Sequence, residues 1–332
     1  MTGGPSSGAT DGATWSTVRS LMADALALPR PGCGATAERH RQLAEVARTH
    51  DVSVARLYEA HTDALAILAE ADREAPVDTL YGVWASESGP SPLRYDPGRE
   101  RLEGTKPFCS GLGLVDRALV TARIDRDTSS WSAPNGPRAS VLVDTSVRRA
   151  DTIAMSSAGW RSNALVDTAT GTVDFDDHPG KLVGPPGWYL ERPGFWHGAC
   201  GPAACWAGGA IGLVDEARVR IDDDPHRLAH VGAMVATTWS LHALLVQAGH
   251  EIDREPTDTM AGERRARALR WTVERSVIDV IDRFGRGFGP RPQTESTAVA
   301  HRIADLQLYV RQHHAERELA VLGRLAPATG TS

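Results

Sequence analysis

RLEGTKPFCSGLGLVDRALVTAR, residues 101–123, decides how the rest of the chain is read. Leu102 and Phe108 flank Gly104-Thr105, the pattern of strand, tight turn and strand. Ser110-Gly111-Leu112-Gly113 follows, with little side chain in the way of a ligand. Val115, Ala118 and Val120 then rebuild an apolar run to Arg123. Small residues after an aromatic mark a place where backbone can come close to a flat or phosphorylated partner. The same letters also read as a plain hairpin with a glycine-rich corner.

Outward from this stretch, Thr79–Pro186 has no helical period. Short apolar runs alternate there with Gly, Pro, Asp and Ser: Leu80–Trp84, Pro92–Tyr95, Arg99–Leu102, Lys106–Phe108, Ala118–Ala122, Ala139–Val143, Ala164–Val166 and Thr172–Phe175. Such spacing predicts an antiparallel sheet of about eight strands, with no room for crossover helices. Before it, 3.6-residue periods predict helices near Trp15–Leu28, Ala35–Arg48 and Val52–Ala71. After it, helices are predicted near Gly194–Arg220, Asp222–Ala248, Asp258–Phe284 and Thr297–Leu322, a four-helix bundle. The first of these is rich in small residues and should pack very closely. The expected fold is α+β: a disordered tail at 1–13, a helical segment at 14–74, a β-domain at 75–190, the bundle at 191–325 and a tail at 326–332.

With 332 residues, 41% of them hydrophobic, the chain can bury a large core. A net charge of −6 gives no general pull toward nucleic acid or an anionic membrane. Cys33, Cys109, Cys200 and Cys205 form no CxxC pair, so reduced packing thiols and a cytoplasmic location are expected. Neither a signal peptide nor a membrane span of roughly 18 apolar residues is read. Nine tryptophans beside five phenylalanines point to flat surfaces.

Gly285-Arg286-Gly287-Phe288-Gly289 between two helices reads either as a phosphate cradle, helped by Arg286 and Arg291, or as a helix C-cap. His313 and His314 continue the stripe of Ile303, Leu306 and Val310, so one imidazole faces the bundle, as a general base or as a satisfied core histidine. His197 is either a polar pocket group or without a role. His226 and His230 have a zinc-compatible spacing but a charged setting, and Cys109 reads as packing. No metal site is expected. G-x-S-x-G, P-loop and HExxH patterns are absent.

The 101–123 stretch resembles the segment of the acyl-CoA dehydrogenase superfamily in which a G-x-K-x-[WF]-x-[ST]-[NG]-G run precedes a strand ending in Ala-Arg. WASESGP at Trp84–Pro90, the small-residue helix and FGRGFG followed by His301-Arg302 and Asp305 resemble further family motifs, in the same order. The resemblance implies non-covalent FAD. Its ring would lie against Trp84, Ala85, Ser86, Phe108, Cys109 and Ser110, and its adenosine end near Gly285, Gly287 and Gly289. It also implies a homodimer or homotetramer. The usual catalytic glutamate is missing and the helical segment before the sheet is short. His313 stands where a base is expected, with His197 as a second pocket residue. Three readings follow: an acyl thioester dehydrogenase with an electron acceptor, a flavin monooxygenase fed by a partner reductase, or a non-catalytic scaffold.

Overall fold

The computed structural model describes residues 12–88, 92–124, 140–148 and 150–326. The expected N-terminal tail as far as residue 11, the Gly89-Pro90 end of WASESGP and the tail from residue 327 lie outside the described residues. Gly12 and Ala13, expected in the tail, open the first helix instead.

Helices α1 (Gly12–Ser20) and α2 (Met22–Ala27) abut at Leu21. Then come α3 (Thr36–Thr49) and α4 (Val52–Glu70). Asp51 starts α4 by accepting the Val54 N–H at 2.5 Å. Buried residues surround α4 because the sheet packs on one side and the later helices on the other.

Among the described residues there are eight strands: β1 (Tyr81–Trp84), β2 (Arg94–Asp96), β3 (Arg101–Cys109), β4 (Arg117–Ile124), β5 (Ser140–Ser146), β6 (Ile153–Ser156), β7 (Gly171–Pro179) and β8 (Lys181–Leu182). Their order is β6-β7-β3-β2-β4-β5-β8, with β1 also on β4. Most pairings are antiparallel, but β1 and β2 both run parallel to β4. Strand β4 is buried on both faces, as its near-continuous apolar run requires. Ala118, Val120, Ala122 and Ile124 enter the core between sheet and α1, whereas Leu119 faces Ile67 and Leu68 of α4.

Three expectations are corrected here. Gly104-Thr105 is no hairpin turn: β3 runs straight through it, and Gly104 at φ +110° sits where the register with β7 shifts, a bulge. Ala164–Val166 is no strand but leads into a 3-10 turn at Val166–Thr168. β6 and β8 arise where no run was read.

The later helices are α5 (Trp188–Glu191), α6 (Pro193–Gly198), α7 (Gly201–Arg218), α8 (Pro225–Arg254), α9 (Thr259–Phe288), α10 (Arg291–Glu295), α11 (Thr297–Tyr309) and α12 (Ala315–Leu325). The small residues of α7 let α3 approach: a Cβ at Gly208 would lie 2.0 Å from the Ala44 carbonyl oxygen. The helix expected at 297–322 is broken at Val310–His314. The sequence reading of no membrane-length apolar helix needs correcting too. α8 has an 18-residue window of mean hydropathy 1.3, of which 22% is buried. One face of α8 packs on α3, α7 and α9.

Candidate functional site

A cleft of about 1060 Å³ opens between the sheet and the last helices. Phe108 stands at its wall, 54% exposed, with φ +59°. A bulky residue in the left-handed region costs energy and is held by its surroundings, here the bulge between Lys106 and Cys109. After it, Gly111 and Gly113 take the positive φ that the Ser110–Gly113 corner needs. The Gly111 N–H donates to the Thr168 carbonyl at 2.7 Å, tying the corner to the next loop. Ser110, Thr170 and Thr168 form a hydroxyl chain with 2.8 Å links, all lining the cleft. Asp305 holds that loop from behind, accepting the Leu165 N–H at 2.6 Å and the Ser53 hydroxyl at 3.1 Å. Burial pushes its carboxyl up to about 6.

Of the residues expected against a flavin ring, Ala85, Ser86, Phe108 and Ser110 line the cleft. Trp84 and Cys109 do not. Trp84 is buried beneath the corner, its Nε1 donating to the Ser110 carbonyl at 3.0 Å. The Cys109 thiol is buried and its pKa is pushed far up by burial, which makes it a packing group. Gly285 and Gly287 lie inside α9 and Gly289 ends it, so the expected glycine turn is helix. Arg286 pairs with Asp282 and Arg291 with Glu295, and none of these residues lines the cleft.

His313 is buried one residue behind the cleft wall, its Nδ1 2.6 Å from Glu274 Oε2. Its neighbours Gln312 and His314 do line the cleft. His197 lines a separate 240 Å³ hollow, and its Nε2 donates to the Pro256 carbonyl at 2.8 Å. The structure therefore does not bring the two histidines together. Among the described residues no cluster of three or more His, Cys, Asp or Glu could hold a metal ion.

Several cleft residues were not singled out from the sequence. Arg161 and Arg317 line it with no ion-pair or hydrogen-bond partner on their guanidinium groups among the described residues. Glu87 at the rim is held by the buried Lys106, whose Nζ lies 3.0 Å from Glu87 Oε1, and by the Thr121 hydroxyl. Burial pulls the Lys106 pKa down and the carboxylate holds it up. One signal for Lys106 was present: it shares the strand face of Leu102.

Neither a family model nor a curated protein matches this chain. Solved structures do. KijD3, in complex with FMN and a dTDP-linked amino-keto sugar, superposes with a TM-score of 0.70 at 16% identity over 92% of this chain and 86% of that one. TdsC from Paenibacillus sp. A11-2, with FMN and indole, gives 0.71 at 18% identity over 94% of each chain. The methanesulfinate monooxygenase MsuC from Pseudomonas fluorescens gives 0.65 at 16% identity over 95% and 98%. The fold is acyl-CoA dehydrogenase-like. In this acyl-CoA dehydrogenase-like fold the cleft lies between the sheet and the rear helices.

Proposed function

We propose that the chain is a flavin-dependent oxidoreductase acting as a monooxygenase, with FMN in the cleft beside a small-molecule substrate. The cleft itself carries the reading: it is large enough for a ring cofactor and is walled by an exposed aromatic on a strained corner. Binding cavities typically run about 300–1,000 Å³, and this one reaches about 1060 Å³. Three neighbouring structures hold FMN, and FMN suits this chain better than the FAD first expected. The glycine segment assigned to an adenosine end is helix and lies outside the cleft.

The chain offers Phe108 as a ring face, the Ser110–Thr170–Thr168 hydroxyls as polar contacts, and Arg161 and Arg317 as phosphate partners. Bound flavin would supply the two-electron redox chemistry and the reaction with oxygen. His314, which lines the cleft 3.7 Å from Glu318 Oε1, is placed to move a proton there. His313 enters as a positioning residue.

Dehydrogenation of an acyl thioester fits less well, because it needs a free carboxylate base. Among the described residues the two carboxylates lining the cleft are occupied, Glu87 by Lys106 and Glu318 by Arg267. A separate reductase would deliver reduced flavin. We also propose a homo-oligomer in which a second copy covers the exposed stripe Leu228, Val235, Trp239 and Val246 on α8. A straight stripe along one helix face can pair with its own copy about a two-fold axis.

Titrating the purified protein into FMN and into FAD, with flavin fluorescence as the readout, tests the cofactor. Micromolar or tighter FMN binding is expected. Oxygen uptake that depends on supplied reduced FMN tests the reaction. No binding of either flavin would remove the reading.

A further inference from the structure

We infer that the second ligand of the cleft, beside the flavin, is an uncharged and largely apolar ring compound, and that polyanions such as coenzyme A thioesters are excluded. This rests on the flavin reading and follows from the charge balance of the lining.

Most of the charged groups around the cleft have a partner among the described residues. Arg56 faces Glu59 at 3.8 Å. Arg267 pairs with Glu263 at 2.7 Å and with Glu318. Arg311 meets Glu274 at 2.8 Å. Glu87 rests on Lys106, with Arg123 4.0 Å from its second oxygen. Among the described residues, what remains unanswered is Arg161 and Arg317. Guanidinium stays protonated in proteins, so together they leave an excess of two positive charges. A phosphate monoester carries about −1.5 to −2 at neutral pH. One flavin phosphate therefore consumes the whole excess, and a further anion would enter without an unpaired cation to meet it. Coenzyme A, with a pyrophosphate and a further phosphate, would leave several charges unmatched.

The rest of the wall favours a neutral ring. Val83, Phe108, Trp160, Phe195, Leu308 and Val321 present apolar surface. The Trp160 indole N–H is spent on the Ala164 carbonyl at 3.0 Å, so its ring faces carry no unmet donor. Desolvating an unmatched carboxylate against such a wall is costly, whereas an uncharged ring gains from the same burial.

The experiment first loads the full-length protein with FMN, followed by flavin fluorescence. 2-Naphthol, 2-naphthoate and benzoyl-coenzyme A are then titrated against the loaded protein, with the flavin difference spectrum as readout. Naphthol should bind at least about tenfold more tightly than naphthoate and show little dependence on salt. Benzoyl-coenzyme A should not outcompete naphthol. In Glu318→Gln, which releases Arg267 from one carboxylate, the naphthoate penalty should shrink severalfold while naphthol is unaffected. Failure of FMN to load defeats the flavin reading, and this inference with it. Normal FMN loading with equal or tighter binding of either anion, or no binding of naphthol, overturns this inference alone.

Discussion

Glu274 Oε2 lies 2.6 Å from His313 Nδ1, and both side chains are buried in the seam where α11 gives way to α12. The other oxygen of Glu274 accepts from Arg311 Nη1 at 2.8 Å. Arg270 reaches into the same break, donating to the Gln312 carbonyl at 3.1 Å. One carboxylate thus grips both ends of a three-residue segment. The consequence is directional: His313 turns inward, and Arg311, Gln312 and His314 turn toward the cleft. Glu274→Ala should remove this grip and leave the imidazole unpaired in the interior, costing about 1–3 kcal/mol in urea unfolding. Hydrogen exchange at residues 310–314 should quicken first. Unchanged exchange there would show that the pair is not what fixes the break.

The same geometry separates the roles of the two adjacent histidines. His314→Ala should leave FMN affinity and unfolding stability near those of the parent while turnover drops by about 10²-fold or more. His313→Ala should instead lower stability, with turnover loss tracking misplacement of the 310–314 segment. If His313→Ala proved inert to denaturant yet abolished turnover, and His314→Ala were silent, the proton-transfer assignment would have to be exchanged.

Asp305 gives a prediction whose sign depends on pH. Its carboxyl is raised from 3.8 to about 6 by burial, with the Leu165 N–H and Ser53 hydroxyl working against the rise. Between those values the folded state binds the proton that the unfolded state releases. The stabilisation from this group is therefore complete below pH 3.8 and fades as pH climbs through 6. Asp305→Asn keeps an acceptor for Leu165 and avoids the buried charge, so its stability relative to the parent should improve from pH 4.5 to pH 7. Asp305→Ala should cost about 1–3 kcal/mol at pH 4.5 and less at pH 7, and should weaken FMN binding, because the Leu165–Thr170 loop loses its anchor. Chemical unfolding at the two pH values reads both effects.

These residues also mark how far the sequence carries. A near-continuous apolar run made β4 legible, because Ala118, Val120 and Ala122 sit on one face of a strand whose other face is also buried. Helices α3, α4 and α9 were legible from their stripes, and the small residues of α7 correctly announced a close neighbour. The corner at Phe108–Gly113 was legible from its glycines. Gly104 misled, since a glycine in a strand serves a bulge as well as a turn. FGRGFG misled for a related reason: neighbouring helical hydrogen bonds carried α9 through Gly285 and Gly287 despite their propensity. Arg161, Thr170 and Arg317 belong to three distant segments and meet only because the sheet and α12 face each other. No local pattern announces such a meeting. The choice between His313 and His314 turned on a helix break that periodicity did not mark.

His61 of α4 provides a second pH test, at the contact with β1 rather than in the cleft. Its Nδ1 accepts the Tyr81 N–H at 3.2 Å, joining α4 to β1. Burial lowers its pKa from 6.5 to about 4. Across that interval the unfolded chain binds a proton the folded chain refuses, so this group lowers stability as pH falls from 6.5 toward 4. His61→Asn retains an acceptor for Tyr81 but does not titrate. The stability of His61→Asn relative to the parent should rise by at most about 1.4 kcal/mol per pH unit on acidification through the window. Parallel stability profiles for the two proteins from pH 7 to pH 4.5 would contradict this.

The exposed face of α8 is the last feature that asks for a measurement. Leu228, Val235, Trp239 and Val246 are separated by 7, 4 and 7 positions. At about 100° per residue they fall within about 40° of one another, a straight seam along the helix. Trp239 is 75% exposed at its centre. The buried face of the same helix, with Met234, Leu241 and Leu245, is turned well away from this seam, so packing within the chain does not explain it. A second copy laid along the seam would bury both tryptophans, and central aromatics dominate such contacts. Trp239→Glu would put a carboxylate at that centre. Light scattering should then report a smaller assembly than the parent forms at the same concentration, with the circular dichroism spectrum unchanged. A parent already monomeric at tens of micromolar, or a variant that keeps the parent's mass, would leave the α8 seam without the role proposed for it.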